Sequence, residues 1–286
     1  MKTKTFKIPF FDLEKTAFCG QAFRFKKLAN GEILGLFDKN IFSAKQAQQQ
    51  LTLKSFSKAN LAAIPLYLGL SVPALEVKAN ILATTHTTFP EYSNLIKNII
   101  NQELGIRLLK QPILETCISY ILSVNCNIPL ISKRLESLAA LFPENKTLFE
   151  ENEYYFFPSL EQLKTLDYAA LENLKLGFRT AWLWNFLQRT DSRTLTALTT
   201  EKQAIKKEYF LSFAGIGEKV FACIDLYAYN NYTAFPVDVW IRRSLKEYFD
   251  FEAKPNTAYE KYFGKYCGYF QQYLYAYSRN KKSTLK

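Results

Sequence analysis

Two glycines around one isoleucine, Gly215-Ile216-Gly217, followed by Lys219 and then by Asp238 after Pro236-Val237, constrain this chain more than any other stretch. Glycine adopts backbone conformations closed to other residues, so the pair permits a tight turn with its N–H groups facing outward. Those donors, with the start of a helix behind them, form a site for a phosphate. A lysine in that first helical turn sits at the positive end of the helix dipole, which favours its neutral, nucleophilic amine. The alternative is a surface lysine touching phosphate. Against it, Lys219 opens a segment with one apolar face, made of Val220, Cys223, Ile224 and Tyr227. Asp238 precedes Val239-Trp240-Ile241 and suits a helix N-cap. A capping carboxylate is held in place, which leaves a fixed negative charge near the lysine. Residues 211–243 therefore read as a clamp on a DNA backbone with an amine nucleophile and a carboxylate beside it.

The charge agrees with a polyanion partner. The chain carries a formal charge of +11 and has a pI of about 9.2, favouring nucleic acid first and an acidic membrane surface second. A lysine-rich, merely solvated surface is the bland alternative. With 286 residues, 48% of them hydrophobic, the chain is globular and long enough for two domains. Most of the 24 Phe and 18 Tyr belong to a core, but some are available to stack on bases. The five cysteines show no metal-ligand spacing, and no four-cysteine cluster follows Asp238, which excludes an iron–sulfur cluster there. The single histidine, His86, cannot build a zinc site and is expected on a surface or loop. No metal and no organic cofactor is implied. The N-terminus lacks an apolar signal segment, and no run is long enough to span a bilayer. The expected setting is cytoplasmic, alongside the nucleoid, with no membrane association.

Residues 5–44 read as antiparallel β. Thr5-Phe6-Lys7-Ile8 and Gln21-Ala22-Phe23-Arg24-Phe25 alternate, Asn30-Gly31 is a hairpin turn, and Ile33-Leu34-Gly35-Leu36-Phe37 follows it. From about residue 60 the pattern turns helical, with Pro90-Glu91 opening a helix that reaches roughly Leu104. From Leu108 the chain reads almost wholly helical. Pro112 suits the first turn of a helix with Leu114, Cys117, Ile118 and Ile121 on its apolar face, ending near Ser123. Asn125-Cys126-Asn127 is a polar break, and Pro129 opens a helix with Ile131, Leu135, Leu138 and Leu141 as its buried stripe. Residues 280–286 look like a frayed basic tail. The expected fold class is α+β: an N-terminal antiparallel β-sheet domain with helices over residues 1–107, then an all-helical domain over residues 108–286 built round the hairpin.

Residues 211–243 resemble the helix-hairpin-helix, Gly/Pro-Asp motif of the base-excision DNA glycosylases. Four further stretches narrow the resemblance to the 8-oxoguanine DNA glycosylase family, in a bacterial-type form. They are Cys19-Gly20-Gln21-Ala22-Phe23-Arg24-Phe25, Gly105-Ile106-Arg107-Leu108-Leu109-Lys110-Gln111, Ser123-Val124-Asn125-Cys126-Asn127-Ile128 and the run from Phe263 to Leu274. A lone Gly-Ile-Gly is a weak signal, since many DNA-binding modules carry such a hairpin. Its combination with Lys219, Asp238 and the other stretches, in order along nearly the whole chain, is specific.

The resemblance implies a monomeric bifunctional enzyme acting on double-stranded DNA that contains 8-oxoguanine. Lys219 would attack the sugar C1′, displace the base and form a Schiff base, with Asp238 as the second catalytic residue. Gly215 and Gly217 would hold phosphate through their backbone. Gly20 matches a glycine whose carbonyl accepts a hydrogen bond from N7–H of 8-oxoguanine, a hydrogen that guanine lacks; the plain reading is a turn glycine. Gln271 matches a reader of the Watson–Crick edge. Tyr275, one helical turn on, replaces the usual stacking phenylalanine, and Cys223 matches a residue packing the other face of the base. Gln271, Tyr275 and Cys223 also suit an ordinary core. Asn125 matches the residue filling the gap left by the flipped base, and Phe178-Arg179 an aromatic wedge and an arginine on the orphaned partner. Leu130 stands where animal members have an arginine that reads the opposite cytosine, so strict cytosine preference is in doubt. Trp240 replaces a histidine near a phosphate. Two alternatives remain: a glycosylase of the same superfamily for another damaged base, which typically lacks the lysine, and a non-catalytic DNA-binding protein that keeps the hairpin alone.

Overall fold

The computed structural model describes residues 2–55, 61–254 and 257–283. The N-terminal part holds a five-stranded antiparallel sheet: β1 (Lys2–Lys7), β2 (Lys26–Lys27), β3 (Ile33–Phe37), β4 (Asn40–Ala47) and β5 (Gln50–Ser55), in spatial order β1-β5-β4-β3-β2. Asn30-Gly31 turns the chain between β2 and β3, where Lys27 pairs with Ile33 and Gly31 takes φ +78°.

Every residue of β3 is buried, and the reason is that both faces of the sheet are covered. Ile33 and Phe37 join Phe42, Leu51, Leu53, Ile64 and Tyr67 on one side. Leu34 and Leu36 join Ile41, Phe149 and Tyr154 on the other. Phe149 and Tyr154 come from an antiparallel pair, Lys146–Phe149 with Asn152–Tyr155, so the second part is helical with one exception. That hairpin caps a sheet whose outer face would otherwise expose apolar side chains to water.

Two segments of the expected β region are not strands. Leu13–Phe18 is a short helix, capped by the Asp12 carboxylate accepting from the Lys15 amide at 2.8 Å. Residues 21–25 form no strand, although they alternate, because their polar groups bond to the helical part. Gln21 donates to the Arg107 carbonyl at 2.8 Å and accepts from the Leu109 amide at 2.9 Å, while Arg24 pairs with Glu136 at 2.9 Å.

The helices fall close to expectation. Pro90 begins a 3₁₀ turn leading into Ser93–Glu103, and Ile113–Ser123 follows Pro112 at its N-cap. Ile128–Ala139 carries Pro129 in its first turn and buries Ile131, Leu135 and Leu138, but Leu141 lies beyond its end and is 38% exposed. His86 is exposed in the last turn of the helix Ala74–Thr88. Residues 280–283 continue the helix Cys267–Ser283, and 284–286 lie outside the described residues.

The main core joins both ends of the chain. Ala74–Thr88 packs on Glu260–Phe263, and Ser93–Glu103 packs on Cys267–Ser283. Gln203–Leu211 and Glu218–Tyr227, the two helices around the glycine hairpin, pack on each other, and the second also lies against Ile113–Ser123. This arrangement brings Gly20, Asn125, Lys219, Asp238 and Gln271 to one cavity.

Candidate active site

The helix Glu218–Tyr227 starts because Gly217, extended at φ −91°, serves as its N-cap and accepts from the Phe221 amide at 2.9 Å. Lys219 is therefore in the first turn, half-buried, with its Nζ 5.3 Å from the centroid of the Tyr120 ring. The two hairpin glycines exist for different reasons. Gly215 has φ +85°, and a Cβ there would lie 2.4 Å from the Trp182 ring, so both conformation and space exclude a side chain. Gly217 has an ordinary conformation and nothing within 4 Å of where its Cβ would be. The fold does not demand glycine at 217, and the open space there leaves the backbone accessible to an external group.

The cavity has a volume of about 610 Å³. Its wall holds Lys219 and Asp238, the four residues of the expected base pocket, Asn125, and both hairpin glycines. Asp238 caps the helix Val239–Phe249, its Oδ1 accepting from the Ile241 amide at 2.8 Å, so the cap reading and the cavity position hold together. Cys223 is buried, and desolvation pushes its thiol up to about 11 although the nearby Lys219 opposes the rise. A thiol with that value stays protonated at neutral pH, so Cys223 offers packing surface to the cavity.

Gly20 takes φ +88°, and a Cβ there would meet Ile128 Cδ1 and Tyr275 Cε1 at 3.4 Å each. Gln271 is 5% exposed, and its side-chain carbonyl oxygen has no hydrogen-bond partner among the described residues. A buried amide left unmatched costs stability, which makes sense where a ligand completes it. Burial raises the Tyr275 hydroxyl above its ordinary range, so it is a neutral donor beside an aromatic surface. Gly20, Gln271, Cys223 and Tyr275 thus line one cavity together with Lys219 and Asp238.

Asn125 sits at the cavity edge, exposed, in the left-handed conformation at φ +49°. Phe178 is 50% exposed and packs edge-on against Trp182 at 4.7 Å. Arg179 departs from expectation. It is 5% exposed, its Nε donates to the Val124 carbonyl at 2.9 Å and its Nη2 to the Asn125 carbonyl at 3.0 Å, and its guanidinium lies 4.3 Å from the Phe178 ring. Its donors therefore hold the 124–125 loop instead of facing outward. Leu130 is exposed at 40%, in the first turn of its helix, and Trp240 is exposed at 39% on the cavity rim.

Tyr120, Tyr227, Gln272 and Arg242 also line the cavity and were not singled out from the sequence. Tyr120 and Tyr227 look like core aromatics at helical spacing. Gln272 left one trace, a second consecutive glutamine in a helix otherwise rich in aromatics. Among the described residues no group of three or more His, Cys, Asp or Glu forms a metal site, and no helix is long and apolar enough to cross a membrane.

A glycine hairpin between two packed helices, with a first-turn lysine and an N-cap aspartate on a shared cavity, defines a helix-hairpin-helix protein of the Gly/Pro-Asp type. The N-terminal domain of 8-oxoguanine DNA glycosylase matches residues 5–117. The N-glycosylase/DNA lyase of Saccharomyces cerevisiae is 31% identical over 165 residues, which cover 53% of this chain and 44% of that protein. The structure of MBOgg1 in complex with a low-affinity DNA ligand superposes with a TM-score of 0.86 at 26% identity, covering 99% of this chain and all of that one. The Clostridium acetobutylicum 8-oxoguanine glycosylase/lyase, in complex with double-stranded DNA containing cytosine opposite 8-oxoG, shares the fold with a TM-score of 0.83 at 23% identity, covering 99% of each chain. Over residues 5–117 the chain is thus similar to the N-terminal domain of 8-oxoguanine DNA glycosylase, and over nearly its whole length it shares the fold of these solved structures.

Proposed function

We propose that this protein is a bifunctional DNA glycosylase and abasic-site lyase that removes 8-oxoguanine from duplex DNA. One observation carries the reading: Lys219 and Asp238 share a cavity with Gly20, Cys223, Gln271 and Tyr275. Catalytic and base-reading groups come from four distant parts of the chain, which a phosphate clamp alone does not require.

The chemistry follows from the groups present. Hairpin amides at Gly215 and Gly217 hold a backbone phosphate, and the lesion nucleotide rotates out of the stack into the cavity. The Gly20 carbonyl accepts N7–H, a bond that normal guanine cannot make, and Gln271 pairs with the Watson–Crick edge. Tyr275 and Cys223 cover the two faces. The Lys219 amine attacks C1′ as the glycosidic bond breaks, and the base leaves with the bonding pair and takes up a proton. The Asp238 carboxylate stabilises the positive charge that develops on the sugar. Ring opening gives an imine between Nζ and C1′, and loss of a C2′ proton expels the 3′ phosphate, cutting the strand. Phe178 wedges the duplex and Asn125 fills the vacated space. Arg179 supports that loop and meets the orphaned base only after releasing the carbonyls it now holds. The DNA substrate assigns the protein to the interior of the cell, at the nucleoid. In sequence, we place the division between sheet-bearing and hairpin-bearing parts near residue 107, with packing that crosses it.

Borohydride trapping on a duplex with 8-oxoguanine tests the reading. The expected result is a covalent protein–DNA product with the native chain and none with Lys219→Gln, which retains lesion binding. No trapping by the native chain leaves the non-catalytic DNA-binding reading in its place.

A further inference from the structure

Three buried side chains of the cavity wall have no part in the steps above: Tyr120, Tyr227 and Gln272. They form one connected set. The Gln272 Nε2 donates to the Cys19 carbonyl at 3.0 Å, and its Oε1 accepts from the Tyr227 hydroxyl at 2.6 Å. Tyr227 stacks on Tyr120, with centroids 5.5 Å apart and rings 11° from parallel. The Gln21 carbonyl accepts from the Tyr120 hydroxyl at 3.1 Å and also from the Gln111 Nε2 at 2.8 Å. The carbonyls immediately before and after Gly20 are thus both held from the interior. The Gly20 carbonyl itself accepts no hydrogen bond among the described residues.

The consequence is geometric. Gly20, at φ +88°, lies between two peptide units held from the interior, so moving the 19–21 backbone as a whole breaks a buried hydrogen bond. A selective acceptor needs that rigidity, because hydrogen bonding falls away within a few tenths of an ångström and tens of degrees. We propose that Gln272 and Tyr120 are positioning residues that fix the Gly20 carbonyl as a free acceptor in the cavity wall, and thereby set recognition of a purine that carries hydrogen at N7. Neither side chain touches the reacting atoms through its polar group; each acts through the backbone of the 19–21 loop. Removing the Gln272 donor leaves the Cys19 carbonyl buried and unmatched, and the peptide rotates to find another partner, taking Gly20 with it.

This inference rests on the glycosylase reading, and the test separates the two. Single-turnover release of 8-oxoguanine from duplex is measured beside strand cleavage at a preformed abasic site, which needs Lys219 but no base to recognise. The variants are Gln272→Met, which keeps length but loses the donor to the Cys19 carbonyl along with the acceptor for Tyr227, and Tyr120→Phe, which keeps the ring under Lys219. Base release is expected to fall about tenfold further than abasic cleavage in each, the weight of one neutral hydrogen bond, and further still in the double variant. Parallel loss of both activities shows a merely structural role and overturns the inference, as does an unchanged ratio. A native chain that cuts abasic sites but releases no 8-oxoguanine overturns the substrate assignment instead, and the native arm alone reveals it.

Discussion

Replacing each hairpin glycine by alanine separates what the fold needs from what DNA needs. At Gly215 a methyl group meets two obstacles. The left-handed conformation at φ +85° costs a residue with a Cβ about 1–2 kcal/mol. Its Cβ would also sit 2.4 Å from Cδ2 and Cε3 of Trp182, and overpacking of this kind costs about 1–3 kcal/mol as the ring is displaced. Gly215→Ala should therefore lose roughly 2–5 kcal/mol of stability. The displaced Trp182 is also the ring against which Phe178 packs at 4.7 Å, so the wedge moves with it. At Gly217 the backbone is ordinary and nothing lies within 4 Å, so Gly217→Ala should change stability by less than about 1 kcal/mol, the range of an N-cap substitution. Its methyl group instead stands between the hairpin amides and a phosphate. The assays are urea unfolding, read from the shift in midpoint at constant slope, and affinity for undamaged duplex at two salt concentrations. The expected pattern is a double dissociation: Gly215→Ala unstable, Gly217→Ala stable but weakened for DNA, with a shallower salt dependence than the native chain. Equal stability of the two variants would refute the steric account, and a Gly217→Ala protein with native DNA affinity would refute the phosphate clamp.

Asp238→Asn keeps a good capping side chain for the Ile241 amide but removes the charge. Stability should change by a few tenths of a kcal/mol while base release falls by about a hundredfold or more; Asp238→Ala should lose about 1 kcal/mol as well. Comparable stability losses in the two variants would contradict the separation of cap and charge. With Leu130 exposed where an arginine would read the opposite base, 8-oxoguanine should be cut opposite cytosine with relaxed preference, other partners being processed within about two decades, since one bidentate contact is worth about 1–3 kcal/mol. Leu130→Arg should restore part of the selectivity, and native rates opposite cytosine three decades above every other base would sink the idea. DNA affinity of the native chain should fall steeply between low and physiological salt, given the charge of +11.

Local grammar was legible along the chain. The glycine turn before a helix, Lys219 in its first turn and Asp238 as a cap all follow from which residue types tolerate which backbone positions, and such preferences act over three or four residues. Prolines 90, 112 and 129 marked helix starts for the same reason. What depended on distant partners was not legible. Residues 21–25 alternate like a strand, yet their hydrogen bonds go to residues 107, 109 and 136, and no pattern within five residues records that choice. The hairpin 146–155 is needed because the outer face of β3 and β4 is apolar, a demand set about a hundred residues earlier. Arg179 shows the converse: the family resemblance of Phe178-Arg179 implied a residue reaching for DNA, but the loop at Val124 and Asn125 folds over it and takes its donors. The chain itself fixed which residues carry charge, turn and cap, because those are properties of single side chains and short segments. Only the tertiary structure decided that Gly20, Lys219, Asp238 and Gln271 share one cavity, and that the carbonyls beside Gly20 are tied down, because burial and hydrogen-bond matching are settled across the whole core at once.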